Sequence, residues 1–184
     1  MPRQTTEQLR AEVIDAAAAL FARQGSTHTA LQQIADAVQY SKAGLLHHFA
    51  NKNAVYDAVV ETAVEQVGLL SSSIIAVPPG IERDRVVVQL SLDMTYRWPG
   101  VAAFCLALSD HDDFDDPRLL AAGASLAEAW GVDGSADDDR IVRVVTASAG
   151  LTASAITAVR AGRQREWSGA IHEAAMNALG HPTR

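Results

Sequence analysis

The 184-residue sequence has a single cysteine, Cys105. One thiol excludes an intrachain disulfide and a zinc site built on several thiolates, and it suits a reducing compartment. Proline is scarce, with six in the chain, and alternating β-branched stretches are few, so a sheet protein is not expected. Positive charge is also short. Fifteen Lys and Arg face 22 Asp and Glu, for a formal net charge of −7, which argues against a broad electrostatic grip on a polyanion. The opening residues carry no apolar core of the signal-peptide kind. The least polar long run, residues 144–159, is rich in Ala, Ser and Thr and shorter than a membrane span requires. The expectation is a buried helix, a cytoplasmic protein and no membrane partner.

What the chain does have is helix-forming sequence. Hydrophobic residues make up 48% of it, enough for a real core. Alanine and leucine dominate, and helical periodicity recurs with few interruptions. Helices are predicted at about 5–24, 29–38, 41–49, 52–75, 81–97, 100–110, 117–131, 137–162 and 166–179. Leu9, Val13, Ile14, Ala17, Leu20 and Phe21 form one apolar face of the first, and Gly25 suits its end. Thr29 is the expected N-cap of the second, with Gln32 completing a capping box. Leu45, Leu46 and Phe49 are expected to supply the inward side of the third. The fold class is therefore all-α: an N-terminal three-helix unit over 1–51 and a larger helical body over 52–184, bridged by the helix at 52–75.

Charge is unevenly placed along this plan. Ten acidic residues fall between Asp110 and Asp139, offset only by Arg118. The first 53 residues are near neutral, with Arg3, Arg10, Arg23, Lys42 and Lys52 against Glu7, Glu12, Asp15 and Asp36.

The most informative segment is residues 34–49, IADAVQYSKAGLLHHF. Two short helices joined by a tight turn at Gln39-Tyr40 make a helix-turn-helix, the second helix having the width of a DNA major groove. Ser41, Lys42, Ala43 and Gly44 form its first turn, short or polar enough for close approach to base edges. Lys42 suits a phosphate, and free amides at a helix start favour an anion. Gly44 sacrifices about 0.8–1 kcal/mol relative to alanine, which a close approach to DNA or simple surface tolerance would explain. His47 and His48 point about 100° apart on a helix, so at most one faces the groove; two adjacent residues do not converge on a metal. Tyr40 has two readings, a phosphate contact through its hydroxyl or packing over the turn. Thr29 and Gln33 open the preceding helix and stand where they would hold the backbone.

These residues resemble the tetracycline-repressor (TetR) family of bacterial transcriptional regulators. The family pattern is matched by Ile34-Ala35, by Ser41-Lys42-Ala43-Gly44, by His47-His48-Phe49 and by Asn51-Lys52, within the first third of the chain. Three positions depart from it: Gln39 replaces the usual turn glycine, Ala30 the usual threonine and Asn53 the usual acidic residue. The resemblance implies a homodimer that places the 41–49 helix of each subunit in the major groove of a palindromic double-stranded DNA operator. Thr29, Gln33, Tyr40, Ser41, Lys42, Ala43, Gly44, His47, His48 and Lys52 are its expected DNA-binding residues. It also implies a body that binds a small-molecule effector and tilts the 52–75 helix, releasing DNA as a repressor does.

In the body, Met94, Tyr96, Trp98, Phe104, Phe114 and Trp130 concentrate aromatic and thioether groups of the kind that line apolar cavities. Ser109 and His111 add polar contacts, and ordinary core packing is the competing reading. The cluster at His111-Asp112-Asp113 is expected to be a solvated acidic loop, not a metal site. The 137–162 helix, with Ile141, Val144, Val145, Leu151, Ala155 and Ile156 on its apolar face, is expected to pair with the 166–179 helix in a four-helix dimer interface or in an intrachain core. No nucleophile elbow, phosphate-binding glycine loop or metal-spaced His/Glu pair favours an enzyme. No catalytic residue, cofactor or metal is expected. A helical binding or scaffold protein without a DNA role is the remaining alternative.

Overall fold

Polar side chains at helix starts and glycines at helix ends punctuate the chain, of which the computed structural model describes residues 5–108 and 116–182. In order the elements are α1 (Thr6–Gln24), α2 (Leu31–Ala37), α3 (Lys42–Leu46), α4 (Lys52–Ile74), α5 (Ile81–Arg97), α6 (Pro99–Ala107), α7 (Pro117–Ala129), α8 (Asp138–Arg160) and α9 (Gln164–Ala178). No strand occurs among the described residues. Thr5 caps α1 reciprocally with Gln8, at 3.2 and 2.9 Å, and Gly25 ends it at φ 76°. Asn51, Asp116 and Asp137 cap α4, α7 and α8 through their own side chains, satisfying amides that a helix start leaves open. Pro99 opens α6, where its missing N–H breaks no helical bond.

Two hydrophobic cores follow. The first joins α1 to α4 around Val13, Phe21, Ile34, Leu45, Val55 and Val59, and it takes in Val101 and Phe104 of α6 and Leu119 of α7. The second joins the far end of α4 to α5, α8 and α9 around Leu70, Val87, Leu92, Trp130, Leu151, Ala155 and Ile171. Phe104 of α6 joins the first core by edge-on contact with Phe21 and Tyr56, at 6.3 and 6.2 Å. The body is therefore rooted in the N-terminal unit through α6 as well as through α4.

A buried ion pair organises the second core's end. Asp84 on α5 takes a two-pronged grip from Arg140 on α8, at 2.6 and 2.9 Å, and Arg140 also donates to the Trp130 carbonyl. His181 Nε2 lies 2.8 Å from Oδ2 of the same carboxylate.

After Gly162, at φ 67°, α9 folds back along α8, so that Gly180 at its end lies beside Arg143 near the start of α8. One side of α8 (Val144, Ala147, Leu151, Ala155, Ala158) enters the core. The expected apolar face is corrected here, because Ile141 and Val145 turn outward with Val142, the last two 60% and 63% exposed. Among the described residues α8 alone is long and apolar enough to cross a membrane, and 33% of that window is buried. Its outer side runs on through Gly150, Ala153, Ser154 and Thr157 to Ala170 and Ala174 of α9, all exposed.

Candidate nucleic-acid interface

The reading unit is built from the turn outward. Gln39 adopts φ 56°, the only positive φ outside glycine among the described residues. The turn thus keeps the left-handed conformation that glycine usually supplies, at a penalty of about 1–2 kcal/mol for an L side chain. The Tyr40 N–H donates to the Ala35 carbonyl at 2.9 Å, closing α2 against the turn. Ser41 then caps α3 by accepting from Gly44 N–H at 3.0 Å.

Gly44 has a reason inside the molecule. A Cβ there would stand 3.2 Å from Ser41 Oγ and 3.3 Å from the Tyr40 ring. The Tyr40 ring therefore lies against the glycine while the residue remains 38% exposed, and both readings of Tyr40 coexist in one side chain. Ser41, Lys42 and Ala43 are exposed, Gly44 is half-buried, and Leu45 points into the core. Two corrections concern the end of this helix. It stops at Leu46, with His47 and His48 in the following turn, and Leu46 is 43% exposed instead of inward. Of the two histidines, His47 is the exposed one and His48 is half-buried.

Arg10 on α1 fixes this end. Its guanidinium lies 4.5 Å from the centre of the Phe49 ring and Nη1 reaches the His48 carbonyl at 3.5 Å. No motif signalled Arg10; only its position on the polar side of α1 set it apart.

Thr29 and Lys52 are turned to other work. Ala30, not Thr29, is the N-cap position of α2, and the Ala30 N–H donates to Gln33 Oε1 at 2.7 Å. The capping register is thus one residue later than expected, and Gln32 bonds Asp36 instead, at 2.7 Å. Thr29 is buried, donating its hydroxyl to the Gly25 carbonyl at 2.8 Å. Gln24 ties Thr29 to Gln33, at 3.2 Å to each. Lys52 Nζ donates to the Ser26 and Thr27 carbonyls at 2.7 and 3.2 Å, so its charge holds the α1–α2 loop.

A family model described as bacterial regulatory proteins, tetR family, matches residues 13–59, from within α1 to within α4. Residues 13–59 thus match the DNA-binding domain of that family. Solved structures carry the same fold over nearly the whole chain. The probable transcriptional regulatory protein RHA5900 is 20% identical with a TM-score of 0.62, over 95% of this chain and 99% of that one. The TetR-family regulator PfmR from Thermus thermophilus is 19% identical at 0.53, over 91% and 98%. A gamma-butyrolactone receptor, described as ArpA-like, is 19% identical at 0.50, over 93% and 97%. No curated protein matches the sequence. The chain thus combines a helix-turn-helix domain similar to that family's with a helical C-terminal body of the same fold as these structures.

Among the described residues the expected effector candidates divide between two cores. Phe104 belongs to the first core and Trp130 to the second, each 2% exposed. Trp98 packs against the first core, its indole N–H buried and without a partner among the described residues. Tyr96 donates its hydroxyl to the Gln164 carbonyl at 3.2 Å, and Met94 lines a shallow groove between α4 and α5. Spacing along adjacent helices brought these residues near one another in sequence, but α5 and α6 present them to different cores. Ser109, His111 and Phe114 lie outside the described residues. The larger apolar spaces are elsewhere: one of about 450 Å³ between α6 and α7, and an open groove of about 470 Å³ beside Trp167 on the outer side of α8 and α9.

Proposed function

We propose that this chain is a TetR-family, ligand-responsive transcriptional repressor that binds a palindromic DNA operator as a homodimer. The observation that carries the reading is the exposed run Tyr40, Ser41, Lys42, Ala43 and His47 around a capped, turn-supported helix. Such a helix start, with short side chains and one cation, fits a major groove and leaves base edges within reach. Tyr40 and Lys42 contact phosphates, Ala43 and His47 face bases, and Gly44 lets Tyr40 lie flat. Gln33 and Ser41 stand at the backbone, while Thr29 and Lys52 support the reader from behind. Residues 1–51 form the reading domain and 52–184 the effector and pairing domain, with α4 bridging them; the site of action is the cytoplasm.

Pairing uses the outer side of α8 and α9. Small residues there let two helix pairs approach closely as a four-helix bundle, which spaces the two readers for half-sites about one DNA turn or more apart. Effector binding in the body changes that spacing by tilting α4, a coupling between separate sites.

Random-site DNA selection with the full-length protein tests the reading. Enrichment of a two-fold symmetric duplex, lost in Lys42→Ala, is the expected result. No enriched sequence at low or moderate salt would sink it.

A further inference from the structure

We infer that Leu46 reads the C5-methyl group of a thymine in each half-site, so that this reader recognises its operator in part by apolar contact in the major groove. The inference rests on the reading of the chain as a DNA-binding regulator and names the base and the group recognised.

The reading unit hides its large apolar side chains with two exceptions. From α1 to the end of α3, among the described residues, only Tyr40 and Leu46 are exposed, at 38% and 43%. Tyr40 has its ring against Gly44 and carries a polar hydroxyl. Leu46 belongs to neither hydrophobic core. An exposed leucine is ordinary when taken alone; its position here is not. At about 100° per residue, Leu46 stands about 40° from Lys42 and about 60° from Ala43 around α3. It therefore continues the exposed run Ser41, Lys42 and Ala43, on the side turned away from the buried Leu45.

The chemistry left on this helix fits a methyl group. α3 has no arginine, asparagine or glutamine, the side chains that most readily grip a guanine or adenine edge with two bonds. Lys42 is assigned to a phosphate, and Ser41 Oγ accepts from the Gly44 N–H at 3.0 Å. Gln33, on α2, already accepts from the Ala30 N–H and from Gln24. Ala43 and Leu46 offer no hydrogen-bonding side-chain atom. A purine or cytosine edge pressed against them would lose water without gaining a partner. Thymine alone presents an apolar group in the major groove, its C5-methyl. His47, exposed in the turn that follows, stands beside this stripe for a polar contact to a neighbouring base.

The group read is the methyl, not the rest of the base. Cytosine methylated at C5 carries its methyl at the same place in the groove, so it should substitute in part for thymine, whereas plain cytosine should not.

The test uses the full-length protein and the duplex most enriched in random-site selection. Each thymine of either strand is replaced in turn by uracil, which removes only the methyl. Burying one such group is worth about fourfold in affinity. Anisotropy titration should find at least one position per half-site where uracil weakens binding by about that factor, and by about tenfold or more when both half-sites are changed. At that position 5-methylcytosine should bind more tightly than cytosine. Leu46→Ala should bind the thymine and uracil duplexes alike there, while Leu69→Ala, which truncates a 54% exposed leucine on α4, should keep the difference. The uracil series needs no variant, so it stands even if a substituted protein folds poorly. The inference is overturned by a selected duplex indifferent to uracil at every position, by equal binding of cytosine and 5-methylcytosine, or by a Leu46→Ala protein that still separates thymine from uracil. Those outcomes leave the DNA-binding reading in place, whereas a selection that enriches no duplex removes both.

Discussion

Asp15 and Gly100 are joined across the two halves of the fold, the carboxylate on α1 accepting the Gly100 N–H at the start of α6 at 2.8 Å. The price of that arrangement is a carboxylate taken largely out of water. Burial raises the Asp15 pKa above its ordinary 3.8, and the two amide bonds only partly counter it. The folded protein therefore holds this proton more tightly than the unfolded chain does. As pH rises from about 3.8 through the raised folded-state value, this group removes stability. Asp15→Asn keeps an acceptor for the amides and abolishes the titration. In urea denaturation at stepped pH, the variant should gain on the wild type as pH rises through that window. A variant that loses ground to the wild type as pH rises would contradict the account.

Gln39 carries the turn in a left-handed conformation, φ 56°. Gln39→Gly relieves steric strain but gives the unfolded chain more freedom, so the net gain should be about 1 kcal/mol or less. That corresponds to a rise of roughly 2–4 °C in Tm for a protein of this size. Calorimetry of the two proteins checks it. A fall in Tm would show that the Gln39 side chain makes a compensating contribution.

The helix plan was legible because it rests on periodicity and on local chemistry, in Ser41, Asn51, Asp137 and Gly25, that acts within a few residues. The reader was legible for the same reason, since its turn and first helical turn are contiguous in sequence. Three features were not. The capping register at Thr29 depends on where the loop after Gly25 releases the chain, and Ser and Thr beside a helix start look alike in sequence. The split of Phe104 and Trp130 between two cores depends on long-range packing of α6 and α8. The outward turn of Val145 on α8 depends on which side of the helix the core occupies, which periodicity reports only as apolar sequence.

The Asp84–Arg140 pair has a 4% exposed carboxylate side chain gripped at 2.6 Å, and it ties α5 to α8. Removing Arg140 leaves the buried Asp84 carboxylate with only His181 beside it, so Arg140→Met should lose up to about 3–5 kcal/mol. Arg140→Met with Asp84→Leu should recover much of that loss, because two apolar groups leave no buried charge. Chemical denaturation of the single and double variants provides the check. A double variant no more stable than Arg140→Met would show that the ion pair, with His181 2.8 Å from the carboxylate, is needed to shape this end of the body.

Gly150 separates folding from pairing. It lies on the exposed side of α8, and a Cβ there meets nothing within 4 Å in the single chain. Gly150→Arg should therefore fold normally and, by helix propensity alone, gain roughly a few tenths of a kcal/mol or more. In a dimer closed through α8 and α9, the same arginine would be driven into the centre of a close-packed seam with no partner for its charge. Sedimentation should thus find the wild type as a dimer and Gly150→Arg as a helical monomer. The variant should lose high-affinity binding to the selected symmetric duplex while keeping weak, salt-sensitive binding of one reader to a half-site. A variant that remains dimeric would move the interface off this side of α8, and with it the spacing argument for operator recognition.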